Sequence, residues 1–277
     1  MFDELKGKFI LNVCLTGMVG RKEHNAHVPM TPGEIARDVE ACLALGASMV
    51  HVHARDENQE PEWRPEPYQE IVRAIRAVSE EVVVCVSTSG RKVTDFDRRA
   101  ACLDIDPAPD MASLTLGSLN FLREGVLNTP QMVRALAERM TERGVKPELE
   151  VFDVGMARAA ARLVAEGIVA RPAYANVLLG NIGTASTAAA DVAAILAHLP
   201  AGAVRCFAGI GAEQPRGNLL GLLYGHGVRV GLEDNLFLDA RKTPATNVQL
   251  AERAVRMARE LGLVPASIRD VRAALAL

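Results

Sequence analysis

Two hydrophobic rhythms alternate along this chain, short apolar runs with strand character and longer stretches whose apolar residues recur every three or four positions. The first run is Phe9-Ile-Leu-Asn-Val-Cys-Leu-Thr16. Thr31-Pro-Gly-Glu34 then has the form of a capping box with Pro in the first turn, and Ile35, Val39, Cys42 and Leu43 line one helical face up to Gly46. Ser48-Met-Val-His-Val-His-Ala54 is the second run, and a helical pattern near 67–79 leads to Val82-Val-Val-Cys-Val-Ser87. Thr94-x-x-Asp97 predicts the next helix start, and a fourth strand is expected near 111–116. Thr129-Pro130 caps a helix that turns Val133, Leu136 and Met140 inward and stops at Gly144. Further strands are predicted at 147–152, 173–179, 203–208 and 228–232, the last followed by a long periodic helix over 247–261.

Eight strands alternating with helices, with no linker-like break, predict one (β/α)8 TIM barrel, a single catalytic domain over 1–277. A doubly wound open sheet is the runner-up; it would normally use fewer units and carry a nucleotide fingerprint at its first turn. The length of 277 residues suits a barrel, typically about 250. With aromatics at only 4%, the core must be built from Ala, Val, Leu and Ile, as parallel strands wrapped by helices are.

Charge and cysteine usage narrow the function classes. A net charge of −3 gives no reason to expect nucleic acid or an anionic membrane as partner. No apolar run approaches the roughly 20 residues of a membrane span. The N-terminal residues lack the basic-then-apolar order of a secretory signal. The five cysteines are widely spaced with no C-x-x-C pair, which argues against a disulfide framework or a thiolate zinc site. A cytoplasmic protein is the resulting expectation.

In such barrels the working residues lie where strands end. His51-Val-His-Ala-Arg-Asp56 places His51 and His53 on one face of the second strand, because residues i and i+2 point the same way, and two imidazoles are half a zinc site. The alternative is a hydrogen-bonded histidine pair. In Arg229-Val-Gly-Leu-Glu-Asp-Asn235 the same alternation aligns Arg229, Gly231 and Glu233. The eighth strand closes against the first, so Glu233 would come within reach of the two histidines, leaving open positions for substrate as catalytic zinc sites do. Ser87-Thr-Ser-Gly90 could bind a carboxylate through backbone N–H and hydroxyl groups, although an ordinary Ser-rich turn reads the same. Glu150, near the end of the fifth strand, is a further candidate. Gly209-Ile-Gly211, after the seventh strand, lies where barrels often hold phosphate, but a lone G-x-G says little. His24, His27, His198, His226 and Trp63 read as packing or surface residues.

These segments resemble the β-keto acid cleavage enzymes nearly end to end. The resemblance is carried by Lys22-Glu-His-Asn25 with Val28-Pro-Met-Thr-Pro32, His51-Val-His-Ala-Arg-Asp56, Ser87-Thr-Ser-Gly90, Gly117-Ser-Leu-Asn-Phe121, Glu148-Leu-Glu-Val-Phe-Asp153 and Arg229-Val-Gly-Leu-Glu-Asp-Asn235. It implies a zinc-dependent, usually tetrameric barrel that converts a β-keto acid and acetyl-CoA into acetoacetate and a new acyl-CoA. His51, His53 and Glu233 would hold zinc, although such ligands also suit other divalent metals. Asp234, kept ionised by Arg229, would remove the proton between the keto and carboxylate groups. Ser87 and Ser113, with Thr88, Ser89 and Gly90, would hold the substrate carboxylate, and Glu150 would position a polar group or water.

The chain departs from that pattern at two places. Val19 stands where the aminohexanoate-cleaving members carry an acidic residue, so the expected substrate side chain is uncharged or apolar rather than 5-amino. Ala212 and Glu213 follow Gly211 where basic residues are expected, leaving Arg216 as the nearest group for the CoA phosphates. Two other readings stand beside this one. One is a metal-dependent carbon–carbon lyase or aldolase without CoA exchange; the other is a non-catalytic metal- or acyl-CoA-binding barrel.

Overall fold

In the computed structural model, which describes residues 2–122 and 124–277, eight parallel strands close into a barrel. They are β1 (Lys8–Cys14), β2 (Met49–Val52), β3 (Val83–Ser87), β4 (Met111–Thr115), β5 (Lys146–Val151), β6 (Tyr174–Leu179), β7 (Val204–Gly209) and β8 (Gly227–Val230). Each pairs with its chain neighbour, and β8 returns to β1 in the register Asn12 opposite Arg229. The helices around them are α1 (Pro32–Leu43), α2 (Pro65–Val78), α3 (Phe96–Ala100), α4 (Pro130–Glu142), α5 (Val154–Ala165), α6 (Ala189–His198), α7 (Gln214–Tyr224), α8 (Asn247–Glu260) and α9 (Ile268–Leu275).

The strands alternate as a closed barrel requires. Leu11, Val13, Val50, Val84, Val86, Leu114, Val177, Val228 and Val230 face outward and pack against the helices, with Ile35, Val39, Ile71, Leu136 and Leu250 from the helical side. Fully burying such a side chain contributes about 1.5–3 kcal/mol. The inward positions grade from apolar to polar. Ile10, Met49, Val83, Met111, Tyr174 and Val204 fill the lower interior, and Leu5, Val271, Ala274 and Leu275 seal it from below. Two residues further along the same strands, the inward positions include Asn12, His51, Ser113 and Asn176, with Ser87, Glu150 and Arg229 in the same upper layer. This polar layer lies at the C-terminal end of the barrel.

Several local expectations hold and one is corrected. Thr31 and Glu34 form the capping box, and Thr129 caps α4. The cap of α3 is Asp95, not Thr94: its side chain accepts from Arg98 N at 2.9 Å, and the helix begins at Phe96. A carboxylate at the N-cap accepts an orphan N–H at least as well as a hydroxyl. All five cysteines are free and buried. Among the described residues no helix is long and apolar enough to cross a membrane.

Candidate active site at the barrel mouth

His51 and His53 come together, with their Nε2 atoms 3.2 Å apart. Glu233 joins them, Oε1 at 3.2 Å from His53 Nε2 and Oε2 at 3.7 Å from His51 Nε2. The geometry that achieves this differs from simple strand alternation. β8 ends at Val230, and Gly231 takes φ +153°, turning the chain so that Glu233 N donates to Cys14 O at 3.2 Å. Glu233 therefore reaches the histidines from a turn. Gly17 makes room for it, since a Cβ there would lie 2.6 Å from Glu233 Cγ.

Arg229, fully buried, is the hub of the polar layer. Its Nη2 donates to Glu233 Oε1 at 2.6 Å, Nε to Asp234 Oδ2 at 3.0 Å, and Nη1 to Glu150 Oε1 at 3.2 Å and Glu148 Oε1 at 3.4 Å. Glu150 also accepts from Thr115 Oγ1 at 2.6 Å. One guanidinium thus faces four buried carboxylates, a formal excess of three negative charges. Burying that excess is costly, and the protein shows the cost in its ionisation. Burial pushes Asp234 and Glu150 upward against the pull of Arg229. Arg229 pulls Asp234 downward, but desolvation and the nearby Glu233 charge outweigh it, so its pKa stands above the ordinary aspartate value. Burial lowers His53 to about 4 and keeps it neutral, the form that offers a lone pair. Burial pulls His51 the same way, but Glu233 and Glu148 outweigh it and raise His51.

The residue that sequence reasoning left without a role is Glu148. Its Oε1 lies 2.9 Å from His51 Nδ1, both side chains fully buried. This contact places the imidazole proton on Nδ1 and turns Nε2 toward His53 and Glu233. Asn12 Nδ2 supports the other carboxylate oxygen at 3.4 Å, and also donates to Tyr174 Oη at 3.1 Å. The signal was present in Glu148-Leu-Glu150: alternation puts both carboxylates inward, by the argument that aligned His51 and His53.

Ser87 and Ser113 sit side by side across β3 and β4, both buried. Thr88 Oγ1 donates to Ser113 O at 2.5 Å, and Ser89 N donates to Ser87 Oγ at 3.1 Å. Trp63, expected as mere packing, donates from Nε1 to Ser89 O at 3.1 Å and so tethers this loop. Val19 is 59% exposed on the loop after β1. Gly211 N donates to Asp234 O at 2.7 Å, so the loop after β7 buttresses Asp234. Gly209 is in contact with the Glu213 carbonyl, where a Cβ would not fit. Arg216 stands apart from this cluster, exposed and paired with Glu213 at 2.9 Å.

Residues 8–277, which include every strand of the barrel and the whole polar layer, match the profile of the beta-keto acid cleavage enzyme family. The chain belongs to that family. The 3-keto-5-aminohexanoate cleavage enzyme of Fusobacterium nucleatum subsp. nucleatum is 35% identical over 260 residues, covering 92% of this chain and 93% of that protein. The 3-oxoadipate:acetyl-CoA acetyltransferase of Cupriavidus necator is 31% identical over 272 residues, covering 97% of this chain and 94% of that protein. Family members thus differ in the keto acid named. A solved structure, the ternary complex of ObcA with C4-CoA adduct and oxalate, superposes with a TM-score of 0.79 over 91% of this chain and 68% of that one. At 20% identity it speaks to the fold alone.

Proposed function

We propose that this β-keto acid cleavage enzyme uses a divalent metal, zinc, on His51, His53 and Glu233 to convert a β-keto acid and acetyl-CoA into acetoacetate and a new acyl-CoA. The observation that carries the metal assignment is the donor set itself. The three ligand atoms lie within 4.8 Å of one another, and Glu233 Oε2 is buried with no hydrogen-bond partner. A divalent cation would offset most of the excess charge of the four carboxylates around Arg229. When bound, the metal supplies a Lewis acid for the keto oxygen, which makes the carbon between the two carbonyl groups acidic.

The remaining chemistry falls to the side chains. Asp234 removes the proton from that carbon. Its burial raises its basicity, while Arg229, at 3.0 Å, holds it in place and stabilises the carboxylate form. Ser87 and Ser113, with Thr88, Ser89 and Gly90, receive the substrate carboxylate. Glu150, fixed by Thr115 and Arg229, orients a polar group or water. The carbanion attacks the acetyl thioester and CoA leaves as thiolate. The thiolate then adds to the keto carbon, cleavage of the adjacent carbon–carbon bond releases the acyl-CoA, and Asp234 returns its proton to the departing carbanion to give acetoacetate. The CoA phosphates lie beside Gly209, Gly211 and Arg216.

Val19 at the rim has no charge to pair with an ammonium group, which supports an uncharged or apolar substrate side chain. The resemblance supports a homotetramer, the cysteine usage supports a cytoplasmic setting, and the exposed Leu219, Leu223 and Tyr224 of α7 offer an apolar face for assembly. The test is a screen of metal-analysed protein with acetyl-CoA and a panel of β-keto acids, detecting acetoacetate by mass. Acetoacetate from a neutral side chain, lost in Glu233→Ala, is the expected result. Cleavage that proceeds equally without acetyl-CoA would instead establish a lyase. Faster turnover of 3-keto-5-aminohexanoate than of an unsubstituted keto acid of equal length would overturn the reading of Val19.

A further inference from the structure

Behind the loop that follows β3 lies a cation without an acidic partner among the described residues. Arg99, on α3, is 1% exposed. Its Nε donates to Thr88 O at 2.9 Å and its Nη2 to Asn128 Oδ1 at 2.9 Å, both neutral acceptors. Its Nη1 is buried with no partner among the described residues. Arginine stays charged when buried, and isolating such a charge from water is expensive unless something answers it. Buried polar groups are almost always satisfied, so an orphan N–H on a buried guanidinium calls for a reason.

The loop in front of it gives one. The carbonyls of residues 87–90 are all engaged by donors: Ser87 O by Tyr68 Oη at 3.2 Å, Thr88 O by Arg99, Ser89 O by Trp63 Nε1 at 3.1 Å, and Gly90 O by Val93 N at 3.1 Å. Three of those donors are side chains of α2, α3 and the segment before α2. The negative ends of these peptide dipoles are therefore spoken for, which leaves the loop receptive to an anion. Gly90 lets the charge come close, because a Cβ there would sit 2.5 Å from Arg99 Nη1. Burial draws Arg99 down to about 10 and Glu150 opposes that, so the cation persists at neutral pH within electrostatic range of the catalytic layer.

We infer that Arg99 is a positioning residue that fixes the 87–90 loop from behind and supplies the counter-charge for the substrate carboxylate, so that the site discriminates a keto acid from its uncharged analogue. The inference rests on the reading of this loop as the carboxylate subsite. It adds a specificity role for a residue that touches no reacting atom.

The test compares dissociation constants of acetoacetate and of methyl acetoacetate, the uncharged ester, for the metal-loaded protein by competition titration. Wild type should prefer the acid by about tenfold or more, the scale of one poorly screened charge. Arg99→Met should abolish the preference and Arg99→Lys should restore part of it. Asn128→Asp keeps Arg99 in place but gives it a protein carboxylate, and should abolish the preference as well. If Arg99→Met does not fold, Asn128→Asp decides. A preference unchanged within twofold in Asn128→Asp, or equal weakening of both ligands in Arg99→Met, overturns the role of Arg99. No preference in wild type overturns the carboxylate subsite itself, and Arg99 with it.

Discussion

Replacing Glu148 should weaken metal binding and also destabilise the metal-free barrel. In the buried pair the carboxylate accepts the Nδ1 proton of His51 at 2.9 Å, which aims Nε2 at the metal position and raises its basicity. Glu148→Ala removes the partner that orients the ring and is expected to cost roughly 10–100-fold in zinc affinity. Glu148→Gln keeps an acceptor but removes the charge, and is expected to cost about tenfold. Stability should fall as well: despite its burial, the Glu148 carboxyl is held below its usual range by His51 and Arg229, and Glu148→Ala leaves the His51 N–H unpaired, a loss of about 1–3 kcal/mol. The assay is competition with a chromophoric zinc chelator, run beside thermal melts with and without metal. Zinc affinity within twofold of wild type in both variants would refute the claim that Glu148 orients His51.

Three further perturbations check other parts of the structure. Gly17→Ala forces a Cβ to within 2.6 Å of Glu233 Cγ at a positive-φ position, so zinc affinity and acetoacetate production should both fall at least tenfold; unchanged zinc affinity would show that Glu233 relaxes freely. Asn247→Ala removes donors to Leu15 O and Asp38 Oδ2 and the acceptor for Leu232 N, all buried or nearly so. It should lower urea-unfolding stability by about 2–4 kcal/mol, and a loss under 0.5 kcal/mol would contradict the tether. Burial, with help from Arg205, pushes His226 down to about 4, and its Nδ1 accepts from Arg205 N at 3.1 Å, which needs the neutral ring. The unfolded histidine titrates near 6.5. Its contribution is therefore present above that pH and lost as pH falls toward 4, on the order of 1–2 kcal/mol after allowing for partial exposure. Urea midpoints measured from pH 4 to 7 should show a shallower slope for His226→Asn; parallel slopes would reject it.

The fold was legible because barrel strands repeat a short apolar run before each capped helix, and all eight runs fall on observed strands with ends shifted by one or two residues. His51 with His53 was legible for the same reason, since period-two alternation projects polar residues at strand ends to one side, whereas Glu233 and Asp234 reach Arg229 from the turn at Gly231. What escaped lay outside that periodicity. The hairpin of Leu119–Asn120 with Gly125–Val126 is too short to show a period. α9 carries a readable capping box at Ser267 and Asp270, yet its task of sealing the barrel floor depends on residues far away in sequence. Arg99 is one of two adjacent arginines on a short helix, and only tertiary packing makes it the buried one.

That division suggests how the site is built to vary. The proposed metal ligands, Arg229, Glu148 and Glu150 are set on or just beyond strand ends and joined to one another, with Glu148 also held by Asn12 of β1 and Glu150 by Thr115 of β4. Moving any one disturbs several buried charges at once, so the layer is constrained as a unit. The loops above it are tied down through their backbone carbonyls: Arg55 donates to Gly17 O at 2.8 Å and Gly20 O at 3.0 Å after β1, and Arg99 and Trp63 donate to Thr88 O and Ser89 O after β3. Val19, two residues beyond Gly17, meets none of the buried layer's demands and is free to change with the substrate. On this argument Val19→Glu should shift preference toward an ammonium-bearing keto acid without changing zinc affinity, because the altered charge enters through the rim and leaves the Arg229 network intact. Comparing kcat/KM for the amino and unsubstituted substrates in wild type and variant measures that shift. A parallel fall for both substrates, with zinc affinity also reduced, would mean that rim and catalytic layer are one coupled unit after all.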